Sequence, residues 1–373
     1  MSEFGVYVHV PFCVRRCDYC AFATWTDRFH LATEYVDACA TQLRWLRSVG
    51  EVPVATSVFF GGGTPSLLEP SALGSVLAEV ALAPGAEVTV ECNPETVDEP
   101  KLRGYRSVGV NRISFGAQSM VPHVLGSLGR VHSVDSVLRA LDAAASAGFG
   151  SNYNVDLIFG AAGESVGDWE STLKAILVVD PAPSHVSAYA LTVEPGTPLA
   201  LDRRRHPDSD DQADKYLLAD SMLHDAGYSW YEISNWAKPG AECRHNQLYW
   251  AQGEYVGIGC AAHSHRVYPM SGTARRWWNV RTPDRYVSMV RAGEQVEAAG
   301  ETLDAERRRS EALELALRTR SGVPEGALPG WREDPDLAGL VEPAEVGTVG
   351  AGRLRLTLRG RLLANEVSLR LMP

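Results

Sequence analysis

Residues 7–22 read YVHVPFCVRRCDYCAF and place Cys13, Cys17 and Cys20 within one short stretch. Three thiols are one too few for a closed zinc site and do not form pairs. The Cys-x3-Cys-x2-Cys spacing has three readings. On a helix the positions i, i+4 and i+7 share one face, which would make them a buried stripe. But Val8–Val10 reads as a strand, Pro11 interrupts pairing, and Arg15, Arg16 and Asp18 suit a polar loop. A zinc site completed by His9 or Cys39 is the second reading, although His9 falls in the strand and Cys39 in a predicted helix. The third is an iron–sulfur cluster. Such clusters are normally held by four thiolates, so three leave one iron open to another ligand.

Outward from this stretch, short apolar runs alternate with amphipathic segments. Strands are predicted at Gly5–Val10, Ser57–Gly61, Glu87–Glu91, Arg112–Gly116, Tyr153–Phe159 and His185–Thr192, several apolar enough to be covered on both faces. Helices are predicted at Glu34–Arg47, Ser71–Ala81, Ser133–Ala147 and Asp168–Val178. Ser133 with Ser136 reads as a helix start and AGFG at 147–150 as a stop. The alternation implies a parallel α/β sheet with right-handed crossovers, open or barrel-like. Cys13, Gly61, Glu91, Gln118 and Asp156 fall at the ends of the predicted strands, where (β/α) barrels place their chemistry. After about residue 195 the pattern changes. A helix is predicted at Gln212–Ala226, then an aromatic-rich segment, then a charged amphipathic helix at Ala305–Arg320. The tail, AGRLRLTLRGRLLANEVSLRL, alternates and then turns helical.

The chain has 373 residues, enough for one large domain with a small one attached, and 45% hydrophobic residues mark it as globular. A net charge of -11 argues against a nucleic-acid partner. No basic leader and no long apolar run are expected, and the seven cysteines suit a reducing cytoplasm.

Several motifs share one chemistry. FFGGGTPS (59–66) allows close backbone approach and offers bare N–H groups. ECNP puts Glu91 at a strand end, RISFGAQS supplies Gln118, LGRVH supplies Arg130, and VDLIFG sets Asp156 in an apolar strand. A buried carboxylate there calls for a cation or hydroxyl partners. In this order, the motifs with the cysteine triad resemble the coproporphyrinogen III oxidase-like branch of the radical S-adenosylmethionine (SAM) superfamily. The resemblance implies a partial (β/α)6 barrel with a small C-terminal winged-helix-like α+β domain. It also implies a [4Fe-4S] cluster on Cys13, Cys17 and Cys20 with SAM on the open iron. By the same resemblance Tyr7, Gly61, Gly62, Thr64, Glu91, Gln118, Arg130 and Asp156 contact SAM, and an aromatic such as Tyr19 commonly precedes the third cysteine.

Within that branch the oxidase carries a further cysteine two residues after the third and an N-terminal extension. Here the position is Phe22, counted as a cofactor-binding residue, and the chain reaches Tyr7 at once. Both departures, with ECRHNQLYWAQGEYVGIGCAAHS (242–264), resemble the haem-chaperone family of the branch. That likeness implies haem as cargo, His245 as its ligand, a haem-accepting protein as partner, and no catalytic residue. His263, His265 and Cys243 are rival ligands, and Tyr249, Trp250 and Trp236 are flat surfaces for a macrocycle. A transient membrane-associated acceptor and a homodimer are compatible partners. The alternative is a radical SAM oxidoreductase of the oxygen-independent coproporphyrinogen III oxidase type, so whether the chain is an enzyme stays open. The organisation expected is a core barrel at 1–240, a haem-associated connector at 241–303 and the terminal domain at 304–373.

Overall fold

The structure, a computed structural model, describes residues 3–344 and 352–372. Ala351, at the head of the quoted tail, lies outside the described residues. Six strands follow one another in parallel: β1 (Phe4–Val10), β2 (Ala55–Gly62), β3 (Leu82–Cys92), β4 (Arg112–Gln118), β5 (Tyr153–Phe159) and β6 (His185–Ala190). Helices cross between them, as the alternation predicts. The serine start at Ser133 is a capping box on the helix Val134–Ala144, with Ser133 Oγ and Ser136 each bonded to the other's backbone N–H. The predicted continuation to Ala147 is instead one wider turn, Ala145–Phe149, in which Gly148 takes a positive φ.

The sheet extends beyond these six strands on both sides. β7 (Ser229–Glu232) and β8 (Asn235–Ala237) add antiparallel to β6. On the other side β9 (Glu254–Ile258) returns to lie parallel to β1, with Gly257 opposite Tyr7. β10 (His263–Tyr268), β11 (Thr273–Asn279) and β12 (Glu297–Leu303) follow antiparallel. The order is β12-β11-β10-β9-β1-β2-β3-β4-β5-β6-β8-β7, and among the described residues its two ends do not pair, so this is an open mixed sheet rather than a closed barrel. Residues 241–303 therefore supply strands of the main sheet itself. Sequence pattern missed β7–β12 because their residues mix charge, aromatics and glycine without strict alternation.

One interior pocket is lined by side chains from all six of β1–β6, so the sheet curls around a shared centre. The helix Arg244–Trp250 closes the end nearest the strand starts. Glu87 near the start of the β3 ladder accepts the N–H groups of Arg244 at 3.3 Å and His245 at 3.2 Å, an anionic cap on a helix N-terminus. Past residue 304, the helix Ala305–Leu317 and a three-stranded sheet of β13 (Val323–Pro324), β14 (Val341–Pro343) and β15 (Arg353–Leu356) gather a second core around Leu317, Leu354, Leu356 and Val367. The RLRL alternation of the tail is β15, with its leucines buried.

The tight passage from β9 into β10 depends on Gly257. A Cβ there would lie 2.2 Å from the His263 carbonyl oxygen, which is backbone and cannot yield easily. Gly257→Ala is expected to destabilise the chain by about 1–3 kcal/mol, the usual cost of overpacking, read as a lower thermal midpoint. An unchanged midpoint would show that β9 and β10 relax freely.

Candidate cofactor site and adjoining cleft

The cysteine loop leaves β1 at Pro11 and is held by backbone. Cys13 N–H donates to Trp25 O at 3.1 Å and Trp25 N–H to Pro11 O at 2.7 Å. Farther along, Asp18 pairs with Arg205 at 2.8 Å. The glycine run after β2 docks onto the same loop, with Gly63 N–H to Val10 O and Thr64 N–H to Phe12 O, both at 2.8 Å. Gly62 N–H donates to Glu91 Oε2 at 3.0 Å. The N–H groups expected to be bare are thus already engaged, and the glycines serve close approach instead. A Cβ on Gly63 would meet Phe12 O at 2.6 Å and Cys13 Sγ at 3.1 Å.

A continuous polar chain links two of the thiols. Thr64 Oγ1 lies 3.7 Å from Cys13 Sγ, and Asn93 Nδ2 donates to Thr64 Oγ1 at 3.2 Å. Arg130 Nη2 donates to Asn93 Oδ1 at 2.8 Å and Gly116 O at 3.0 Å, while its Nη1 reaches Cys17 Sγ at 3.3 Å. Burial raises the Cys13 and Cys20 thiols above their ordinary range, so binding iron there must displace protons. All three thiols are free and partly exposed. Among the described residues no three His, Cys, Asp or Glu side chains converge closely enough to hold a single ion. Thiolates that bind separate irons of a cluster need no such convergence, and the guanidinium of Arg130 partly offsets the effect of burial on Cys20, so this donor set fits a cluster.

Beside the loop, the interior pocket has a volume of about 240 Å³. Tyr7, Gly62, Glu91 and Asp156 line it, and the structure adds Ser114, Asn154 and Arg112, which the sequence reading passed over. Ser114 Oγ and Asn154 Nδ2 both donate to Asp156 at 2.8 Å. Burial pushes the Glu91 carboxyl up to about 8, with Asp156 adding to it and the Gly62 N–H opposing. Burial likewise raises Asp156, against its hydroxyl and amide donors. Two acids held toward neutrality in a small polar pocket suit a cationic ligand, which would favour their ionised forms. Gln118 follows in the left-handed region at φ 64, an uncommon conformation for a side chain of its kind.

His245 faces this interior from the closing helix and is 1% exposed. Its Nδ1 bonds Ser57 Oγ at 2.9 Å and its Nε2 bonds Tyr249 Oη at 2.8 Å, so both ring nitrogens are engaged. Burial lowers its pKa to about 3, keeping it neutral. Cys243 is also buried, its thiol pushed up to about 12 by burial and bonded to Glu87. Trp236 cannot offer a surface to a macrocycle: it is 1% exposed, with its Nε1 on Asp220 at 2.9 Å.

A second, larger cleft of about 590 Å³ adjoins the first. Its walls are the cysteine loop at Ala21–Ala23, Tyr249, the β9–β11 face carrying Tyr255, His263, His265 and Arg276, and Leu315 of the C-terminal helix. Tyr7, Phe22 and Tyr249 line both spaces.

A parallel (β/α) sheet with three loop thiols at the end of its first strand defines a protein of the radical SAM class, and a profile of the Radical SAM superfamily matches residues 7–176. Relatives narrow the class. The protein named Heme chaperone HemW of Mycobacterium tuberculosis (strain ATCC 25618 / H37Rv) is 40% identical, over 98% of this chain and 94% of its own length. That of Escherichia coli (strain K12), of the same name, is 34% identical over 85% of each. The chain belongs to the HemW family. Its fold is also that of the E. coli coproporphyrinogen III oxidase HemN, a radical SAM enzyme, with a TM-score of 0.79 at 21% identity, covering 99% of this chain and 89% of HemN.

The raised Glu91 carboxyl has a signed consequence. Between its ordinary 4.5 and about 8 the folded chain keeps a proton that the unfolded chain has released. This contribution to stability is therefore full below 4.5 and is lost as pH rises through about 8. Glu232, also raised to about 8 by burial, acts in the same direction. Thermal midpoints of the unloaded protein from pH 6 to 9 should fall less steeply for Glu91→Gln than for the natural chain; parallel curves would remove Glu91 as a source of the slope.

Proposed function

We propose that this protein is a haem chaperone that binds haem and passes it to an acceptor protein, and that it carries a [4Fe-4S] cluster on Cys13, Cys17 and Cys20 with SAM on the remaining iron. The observation that carries the reading is the meeting of two unlike spaces at Phe22. One is small, polar and carboxylate-lined beside three thiols; the other is large, aromatic and histidine-bearing. Membership of the HemW family, whose named relatives are haem chaperones, supports it.

In this reading the thiolates hold the cluster, which when bound supplies an open iron site and a redox centre. Thr64 and Arg130 steady the sulfurs. Glu91 and Asp156 would take the cationic end of SAM, and Gly62, which lines the same pocket, adds no side chain to it. Tyr7 borders the same space, whereas Gln118 is not among its lining residues. A haem ligand role for His245 would require it to give up two hydrogen bonds and its burial, so His245 is read as an interior brace beneath the SAM pocket. Among the described residues no helix is long and apolar enough to cross a membrane.

The test is anaerobic purification and reconstitution, iron and acid-labile sulfide analysis, then haem titration and transfer to an apo-acceptor. Cys17→Ser should drop iron and sulfide well below the natural chain's content, while haem uptake by the natural chain saturates. Zinc without sulfide in the natural chain would overturn the cluster. Sustained conversion of coproporphyrinogen III would overturn the chaperone role as the main one.

A further inference from the structure

The interior pocket holds two acids, and the chain treats them differently. Glu91 meets one donor among the described residues, the Gly62 N–H at 3.0 Å. Asp156 meets donors on both oxygens. Ser114 Oγ donates to its Oδ2 and Asn154 Nδ2 to its Oδ1, each at 2.8 Å. Donors on both oxygens favour the carboxylate over the acid. The Arg112 guanidinium acts in the same direction from β4.

Asn154 begins a longer series of hydrogen bonds. It stands two residues before Asp156 on β5, so both side chains share the interior face. The strand register sets Ser114 of β4 on one side of it and His185 of β6 on the other. A carboxylate only accepts, so the Asn154 amide turns its nitrogen to Asp156 and its oxygen away. That oxygen lies 2.7 Å from His185 Nδ1 and 3.2 Å from Ser187 Oγ. An amide oxygen cannot donate, so His185 carries its proton on Nδ1. Its Nε2 is then an acceptor, and Tyr231 Oη donates to it at 2.8 Å. Burial, with Arg112 nearby, keeps the imidazole neutral, which matches a single tautomer. Asn154, His185, Ser187 and Tyr231 are all buried.

The far end of the series is pinned. Tyr231 O accepts the Arg320 N–H at 2.8 Å, and Arg320 pairs with Glu242 at 3.1 Å. Tyr231 Oη also accepts the Cys243 N–H at 3.4 Å. From Tyr231 through His185 and Asn154 each donor points one way, toward Asp156, and bonds in such a series polarise one another. In the same pocket Thr89 Oγ1 is buried without a partner, which marks a place for a further polar group.

Resting on the SAM reading of this pocket, we infer that Asn154 and His185 are positioning residues that present Asp156, rather than Glu91, as the standing negative charge toward the cationic end of SAM. They act through the carboxylate. Asn154 fixes its orientation, and the His185 Nδ1–H holds the Asn154 amide in its donating sense. Without that donor the amide is free to turn, and its oxygen would face the carboxylate.

The experiment measures binding of SAM, and of 5′-methylthioadenosine, which lacks the cationic end, to the anaerobically reconstituted full-length chain by equilibrium dialysis. The variants are His185→Leu, His185→Asn and Tyr231→Phe, with thermal midpoints to check folding. His185→Leu is expected to weaken SAM about tenfold and 5′-methylthioadenosine less than about twofold. His185→Asn keeps a donor near the Nδ1 position and should restore most of the SAM affinity, which a space-filling role would not produce. Tyr231→Phe, which removes a single hydroxyl, should weaken SAM in the same selective way by a smaller factor, and it carries the test where His185→Leu fails to fold. Natural SAM affinity in His185→Leu and Tyr231→Phe, equal loss of both ligands, or no recovery in His185→Asn overturns the assignment. If the natural chain takes up its cluster but binds no SAM, the SAM reading itself fails, an outcome distinct from a positioning role given to the wrong residues.

Discussion

Two backbone hydrogen bonds, from Gly63 to Val10 and from Thr64 to Phe12, tie the glycine run after β2 to the root of the cysteine loop. They form only because position 63 has no side chain; a Cβ would sit within 2.6 Å of the Phe12 carbonyl. From this contact follows the place of everything else near the thiols. Thr64 arrives beside Cys13, Asn93 bridges Thr64 to Arg130, and Arg130 reaches Cys17. Residues from four separate stretches of chain are thereby held to one polar network. Moving the glycine run would shift the first thiol and loosen the arginine together.

Around that network the interior is electrically unusual. Burial in a low-dielectric space disfavours charge, and the chain places Glu91 and Asp156 there nonetheless. The result is a pair of acids with raised pKa values, stabilised by N–H, amide and hydroxyl donors, with the Arg112 guanidinium acting on Asp156 from the same pocket. Perturbed acids in a cleft are a common mark of a functional site. They also make the unloaded site sensitive to pH and responsive to a positive ligand.

The second organising contact is β9 against β1. It connects residues more than two hundred positions apart and brings the β9–β11 face alongside the cysteine loop. Without it, the histidines of β10 and the phenylalanine at position 22 would belong to different parts of the molecule. With it, they form one cleft that opens onto the interior pocket. The same return delivers the helix Arg244–Trp250 to the starts of β2 and β3, where Ser57 and Glu87 receive it.

The six parallel strands were legible in the sequence because strands buried on both faces are near-continuous apolar runs, and runs such as YNVDLIF have few other uses. The cysteine spacing, the glycine run and the strand-end carboxylates were legible for a related reason: each violates what a plain core would contain. The sequence by itself thus determined the six central parallel strands, the family likeness and the residues around the thiols. It could not determine which way the side chains of 242–279 face, because those strands alternate weakly and pair with a distant partner. Tertiary structure alone decided that His245 is buried with both ring nitrogens hydrogen-bonded, that Trp236 is core, and that His263 lies exposed on an open wall. The physical reason is that a histidine's chemistry depends on whether a lone pair is left unpaired, and hydrogen bonding between remote segments settles that only when the chain is folded.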